Sequence, residues 1–369
     1  MARPRGLVDR LTTRVGARID EALLGALTMR FQRRRRDVEE ARTHEAARHG
    51  DRRAALEELT AFYRPLQHGD AFFPAPPTPR LVAEERRGAL PGGGRVVDVK
   101  WESRYEPAWE RARADYLAFE PNRWVVARLY EQPARAASIL CLHGYTGGNF
   151  FVEERAFVAR WLHGLGLNVA LIALPFHGAR AVDEAGRRAA SWPSTNPART
   201  NEGFGQAIWD ARALLRLLVA RGARPEAAVI GMSLGGYTAS LLATVEELAA
   251  LCAYIPVASF ADLMWDHGER SPERARAERA GITREMLRAA YAVHTPLERA
   301  PRLPSERVVI ASSAGDRIAP PEHAAWLARH FGCRELRLPG GHLLQVGRGE
   351  AFRALARVLA AQGLLRERG

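Results

Sequence analysis

Lysine is almost absent from this 369-residue sequence: Lys100 stands alone among 54 basic residues, so arginine carries the positive charge. Cysteine is scarce too. Cys141, Cys252 and Cys333 lie far apart and none has a metal-ligand neighbour, which excludes a disulfide framework and leaves no metal to expect. They read as core thiols. Long apolar runs are missing as well, because Arg, Asp and Glu interrupt every leucine-rich stretch before the roughly 18 residues that a spanning helix needs. Integral membrane insertion is therefore not expected. The first 27 residues are split by charges and followed by no small-residue cleavage site, so they do not read as a secretory signal, and the expected location is the cytoplasm. Internal repeats, zinc-finger spacings and RNP-type motifs are absent, so the net charge of +12 does not lead to nucleic acid as a partner.

Much of that charge sits at one end. Residues 1–36 hold ten arginines against Asp9, Asp20 and Glu21, a balance of +7. Leu7, Leu11, Val15, Ile19, Leu23 and Leu27 recur near helical spacing, with Arg10, Arg14 and Arg18 on another stripe, which predicts two or three amphipathic helices over residues 1–64. With Arg33–Arg36, this stripe has the sign and spacing of a peripheral membrane contact; packing against the chain's own core is the alternative. The run Phe72–Pro79 and then Pro91–Gly94 cannot continue a helix, so residues 1–90 read as a basic helical appendage with a Pro/Gly-rich linker.

Over 91–369 the pattern changes to short β-branched runs alternating with amphipathic helices. Strands are expected at 95–101, 123–130, 137–142, 168–173, 227–231, 251–257, 307–312 and 335–338, with helices such as 151–165 and 203–221 between them. The alternation predicts an α/β fold with an eight-stranded, mostly parallel sheet covered by helices on both faces. Residues 259–301, long and charged, interrupt the rhythm and read as a helical lid insertion.

The sharpest motif is Gly231-Met232-Ser233-Leu234-Gly235, entered from an apolar strand and followed by a helical stretch. A serine on so tight a strand-to-helix turn needs neighbours without side chains two residues to either side. A serine hydroxyl near neutral pH also needs a base, and the base an orienting carboxylate. Asp316, in Ala314-Gly315-Asp316-Arg317-Ile318-Ala319-Pro320, and His342, in Gly340-Gly341-His342, follow in that order. Each lies just past an expected strand, where open α/β sheets place their sites. Asp262, after the strand at 251–257, is the runner-up acid.

With His143-Gly144-Tyr145-Thr146-Gly147-Gly148 closing the strand at 137–142, these motifs resemble, in order, those of the α/β-hydrolase superfamily over residues 95–369. The resemblance implies a serine esterase or lipase-like enzyme with Ser233 as nucleophile, His342 as base and Asp316 as acid. It implies an oxyanion hole formed by the amides of Tyr145 and Leu234, and no cofactor. It makes His143 and His177 loop-bracing residues rather than catalytic ones. A small-molecule acyl ester, with lipid among the candidates, is the expected substrate; a peptidase or amidase, or a non-catalytic membrane-surface or protein-binding member, are the alternatives. Trp192, Met264, Trp265 and Tyr291 read either as an apolar substrate lining or as packing between lid and core. The oligomeric state is left open.

Overall fold

The alternating runs build a nine-stranded sheet in the computed structural model, which describes residues 6–39, 52–182, 186, 192–194, 196–269 and 271–366, with the side chains of 25–39 and of Pro272 excepted. The strands are β1 (Leu81–Ala89), β2 (Arg95–Glu102), β3 (Trp124–Glu131), β4 (Ser138–Leu142), β5 (Asn168–Ile172), β6 (Ala227–Met232), β7 (Ala250–Tyr254), β8 (Val308–Ser313) and β9 (Glu335–Leu338). Their order is β1-β2-β3-β5-β4-β6-β7-β8-β9, antiparallel from β1 through the β3–β5 pairing and parallel from β5 to β9.

The helices are α1 (Leu7–Glu39), α2 (Arg52–Tyr63), α3 (Glu110–Leu117), α4 (Phe150–Ala156), α5 (Ala159–Gly164), α6 (Pro197–Ala220), α7 (Leu234–Leu242), α8 (Phe260–His267), α9 (Pro272–Arg279), α10 (Arg284–Tyr291), α11 (Pro321–His330) and α12 (Arg348–Ala361). The insertion between β7 and β8 is helical as expected, carrying α8, α9 and α10. No helix among the described residues is long and apolar enough to cross a membrane.

Both sheet faces are covered, and the strand period shows why. Along β4, Leu140 and Leu142 enter one buried cluster with α6 and α7, while Ile139 and Cys141 enter the other with α5 and α12. Cys141 and Cys252 are free, buried thiols in that second cluster, and burial pushes Cys252 up to about 12.

The ninth strand is β1, inside the stretch read as linker. It pairs with β2 along its length, yet nearly every side chain on it is exposed. Arg87 bonds Asp98 at 2.6 Å and Glu84 meets Arg221 at 2.8 Å. The segment before it is also tied to the core: Leu56, Leu59 and Tyr63 of α2 are buried in the larger cluster. Buried Glu202 of α6 accepts from the Tyr63 hydroxyl, from the Tyr105 hydroxyl at 2.6 Å and from the amides of Ala108 and Trp109 at 2.9 Å each. One carboxylate with four donors thus joins α2, α6 and the 105–109 segment.

Candidate active site

The parallel register brings the ends of β4 and β6 side by side, with Leu142 opposite Gly231. The chain leaves β6 through Ser233, whose backbone sits at φ 55° and ψ −115°, and passes at once into α7. Glycine is obligatory around this turn: a Cβ on Gly235 would lie 1.9 Å from the Leu142 carbonyl oxygen, and one on Gly231 would lie 2.0 Å from that of Gly235. The strained serine is held open at the top of the sheet, at the N-terminus of α7, where unpaired amides and the helix dipole favour negative charge. A Cβ on Gly144 would come 3.5 Å from the Ser233 Cβ, so the loop after β4 runs beside the serine.

β8 and β9 end together, Ser313 opposite Leu338, and their following loops continue to pair. The Ala314 amide donates to Leu338 and the Gly315 amide to Gly340, both at 2.8 Å. This pairing sets Asp316 beside His342. His342 Nδ1 lies 2.7 Å from Asp316 Oδ2, and Nε2 lies 3.0 Å from Ser233 Oγ. Asp316 is buried, and its other oxygen accepts from the amides of Ile318 at 2.9 Å and Ala319 at 2.7 Å. A carboxylate so held can turn only one oxygen to the imidazole, which fixes a proton on Nδ1 and leaves Nε2 free to accept from the serine.

Asp262 is engaged elsewhere. It accepts from Arg288 at 2.6 Å and from Arg284 at 3.3 Å, both on α10, so it ties α8 to α10 within the insertion. Trp192 and Tyr291 are fully buried among core aromatics; Trp265 stacks under the Arg274 guanidinium at 4.7 Å, and Tyr291 donates to the Met264 sulfur at 3.8 Å. The Trp265 and Met264 contacts join α8 to α9 and α10 within the insertion, and Trp192 packs on Phe204 of α6. Residues 183–185, 187–191 and 195, around Trp192, lie outside the described residues, as do the side chains of Leu27 and Arg33–Arg36.

Two histidines brace the loops around the serine. His143 Nδ1 donates to the Gly144 carbonyl at 2.8 Å while its Nε2 accepts from the Leu174 amide at 3.0 Å, so the ring is held neutral. Burial, with His177 nearby, pulls it down to about 3. His177 bonds the Pro175 carbonyl at 2.8 Å and is pulled by burial to about 4. Glu153, which the motif reading missed, accepts from the Gly148 amide at 3.0 Å, and burial raises its carboxyl above the usual range. Beneath them lies the buried ion pair of Arg180 and Asp210 at 2.9 Å, with Arg180 also donating to the carbonyls of Ala173 at 3.0 Å and Asn122 at 2.7 Å. Sequence alone offered no signal for this pair, since its members lie on different elements. The described residues contain no cluster of three metal-ligating side chains.

The fold has counterparts among solved structures. The structure resembles acetyl xylan esterase 1 from a Thermoanaerobacterium species with a TM-score of 0.53, at 14% identity, over 82% of this chain and 93% of that one. The chain has the α/β-hydrolase fold. In sequence it is similar to two uncharacterized proteins, from two strains of Mycobacterium tuberculosis, each 29% identical over 290 residues. The alignment covers 75% of this chain and 66% of the relatives, so the hydrolase-fold chain spans about two thirds of their length. No family model matches. Relative to the expected hydrolase fold, β1 is an additional strand at the antiparallel edge of the sheet.

Proposed function

We propose that the chain is a serine hydrolase that cleaves carboxylic esters through an acyl-enzyme. The observation that carries this reading is the unbroken hydrogen-bonded line from Ser233 Oγ through His342 to Asp316. Ser233 Oγ attacks the acyl carbonyl while His342 Nε2 takes its proton, and Asp316 stabilises the imidazolium that forms. The amides of Leu234, first in α7, and of Tyr145 receive the oxyanion, each worth about 3 kcal/mol to the transition state. His342 then returns the proton to the leaving alcohol, and a water activated by the same nitrogen releases the acid. The acetyl xylan esterase of similar fold is in keeping with an ester as substrate. Labelling with a fluorophosphonate probe and turnover of p-nitrophenyl esters test the reading. Both are expected in the wild type and neither in Ser233→Ala; a folded wild type inert to both would overturn it.

A second reading concerns where the ester is met. On α1, Leu7 and Leu11 are 76% and 60% exposed, Val15 and Ile19 are also exposed, and Arg10, Arg14 and Arg18 point to solvent beside them. Leu343, next to His342, is 50% exposed. An outward apolar ridge flanked by arginines suits a lipid surface with anionic headgroups, where each arginine contributes about 1 kcal/mol. Cosedimentation with vesicles of mixed phosphatidylserine and phosphatidylcholine is expected to pellet the wild type. The Leu7→Asp, Leu11→Asp double variant should stay in the supernatant; equal pelleting of both would remove this reading.

A further inference from the structure

Asp20 lies on α1, far in sequence from every residue of the candidate site, and it is fully buried. A buried carboxylate is costly unless its oxygens are hydrogen-bonded, and here they are. Oδ2 accepts from the His342 amide at 2.7 Å and the Arg317 amide at 3.2 Å, and Oδ1 accepts from the Leu343 amide at 3.1 Å. Those amides belong to the two loops that carry His342 and Asp316. The Arg317 guanidinium is not part of the arrangement, since it reaches Glu21 at 3.5 Å on the surface.

The rest of that helix face fits the same loops closely. One turn before Asp20, a Cβ on Gly16 would lie 2.4 Å from the Gly341 nitrogen, so helix and loop meet backbone to backbone. Another turn back, Thr13 Oγ1 accepts from the Gly340 amide at 3.3 Å, and a Cβ on Gly315 would lie 2.3 Å from the Thr13 carbonyl oxygen. Thr13, Gly16 and Asp20 are spaced by three and four residues and so form one stripe along the helix. The opposite stripe is the exposed ridge of Leu7, Leu11 and Val15.

We propose that Asp20 is a positioning residue of the active site, its carboxylate tying the Asp316 and His342 loops to each other and to α1. This rests on the reading of Ser233, His342 and Asp316 as the reactive groups. The loops leave the sheet at β8 and β9 and have no strand beyond them, so their pairing at Gly315 and Gly340 needs a third body to hold it. Asp20 provides it at the root of the imidazole. With the His342 amide fixed, Nε2 stays within hydrogen-bond reach of Ser233 Oγ; a displacement of about 1 Å there costs on the order of 100-fold in rate.

The test uses the full chain with Asp20→Ala, Asp20→Asn and, as a charge-matched control in the first turn of the same helix, Asp9→Asn. Hydrogen exchange is followed in the segments 314–319 and 339–346, and kcat and KM are measured on p-nitrophenyl acetate. Exchange is expected to rise in both segments of Asp20→Ala, with kcat falling about 30- to 100-fold and KM within about twofold. Asp20→Asn, which keeps one acceptor oxygen, should show a smaller rise and a smaller loss, and Asp9→Asn should match the wild type. Should Asp20→Ala not fold, Asp20→Asn carries the same comparison. Wild-type exchange in both segments of a folded Asp20 variant overturns the proposal, whatever happens to the rate. If the wild type itself neither turns over nor takes a fluorophosphonate label, the hydrolase reading fails, while the exchange measurement still decides whether Asp20 holds the two loops.

Discussion

Alanine at Ser233 or at His342 is expected to lower ester turnover by about a million-fold, and the double variant to fall no further, because the two groups act as one unit. Without Nε2 at 3.0 Å, the Ser233 hydroxyl has no acceptor for its proton and stays a weak nucleophile. Asp316→Asn is expected to cost about 10⁴-fold through the tautomer rather than through lost contacts. The amides of Ile318 and Ala319 donate to one side of residue 316, so an asparagine there must turn its oxygen to them and its NH2 group to His342. The imidazole then accepts at Nδ1 and carries its proton on Nε2, facing the serine with a donor where an acceptor is needed. Asp262→Asn discriminates between the two acids. Its partners are Arg284 and Arg288, so turnover should stay within about threefold even if the insertion loosens. Steady-state rates normalised to the concentration of folded protein check all five variants. Wild-type turnover in His342→Ala would refute the assignment of the base.

Ser233, Asp316 and His342 were legible in the sequence because each follows a strand whose apolar, β-branched run is itself legible, and because tight loops require glycine at recognisable offsets. The same logic explains what was not. β1 has no alternation to read: it is an edge strand, exposed on most positions, and charges at Glu84, Glu85, Arg86 and Arg87 make it resemble a linker. Asp20 gave no signal because all its partners are backbone amides some 300 positions downstream, and a backbone donor leaves no side-chain signature. In the sequence it counted only as a negative charge within a basic stretch. Trp192 and Tyr291 illustrate a related ambiguity: a buried aromatic and a pocket-lining aromatic have the same letter, and only their neighbours distinguish them.

The protein is also expected to lose its fold between about pH 6.5 and 4, driven by histidines rather than by carboxylates. His143 and His294 are pulled by burial to about 3, and His177 and His323 to about 4, from an ordinary value of 6.5. Their folded values lie below the unfolded one, so the unfolded chain binds more protons throughout this window. The stability they contribute is present above pH 6.5 and is lost as pH falls toward the folded values. At pH 5 each has lost about 2 kcal/mol, from roughly 1.4 kcal/mol per pH unit, and four together approach the 5–15 kcal/mol that holds a typical domain. Asp98 and Asp262, held low by arginine partners, act in the same direction below their unfolded range; Glu153 and Asp210, raised by burial, act in the opposite direction. Thermal unfolding recorded from pH 8 to pH 4.5 should show the midpoint falling steeply below pH 6.5. His323 allows the cause to be isolated: its Nδ1 accepts from the Ala258 amide at 3.1 Å, and an asparagine oxygen can take that bond without titrating. His323→Asn should therefore flatten the dependence by about one quarter at pH 5, one of four similar contributions. A midpoint constant down to pH 4.5 would show that these rings are protonated in the folded protein, and that the loops braced by His143 and His177 open far more readily than their hydrogen bonds imply.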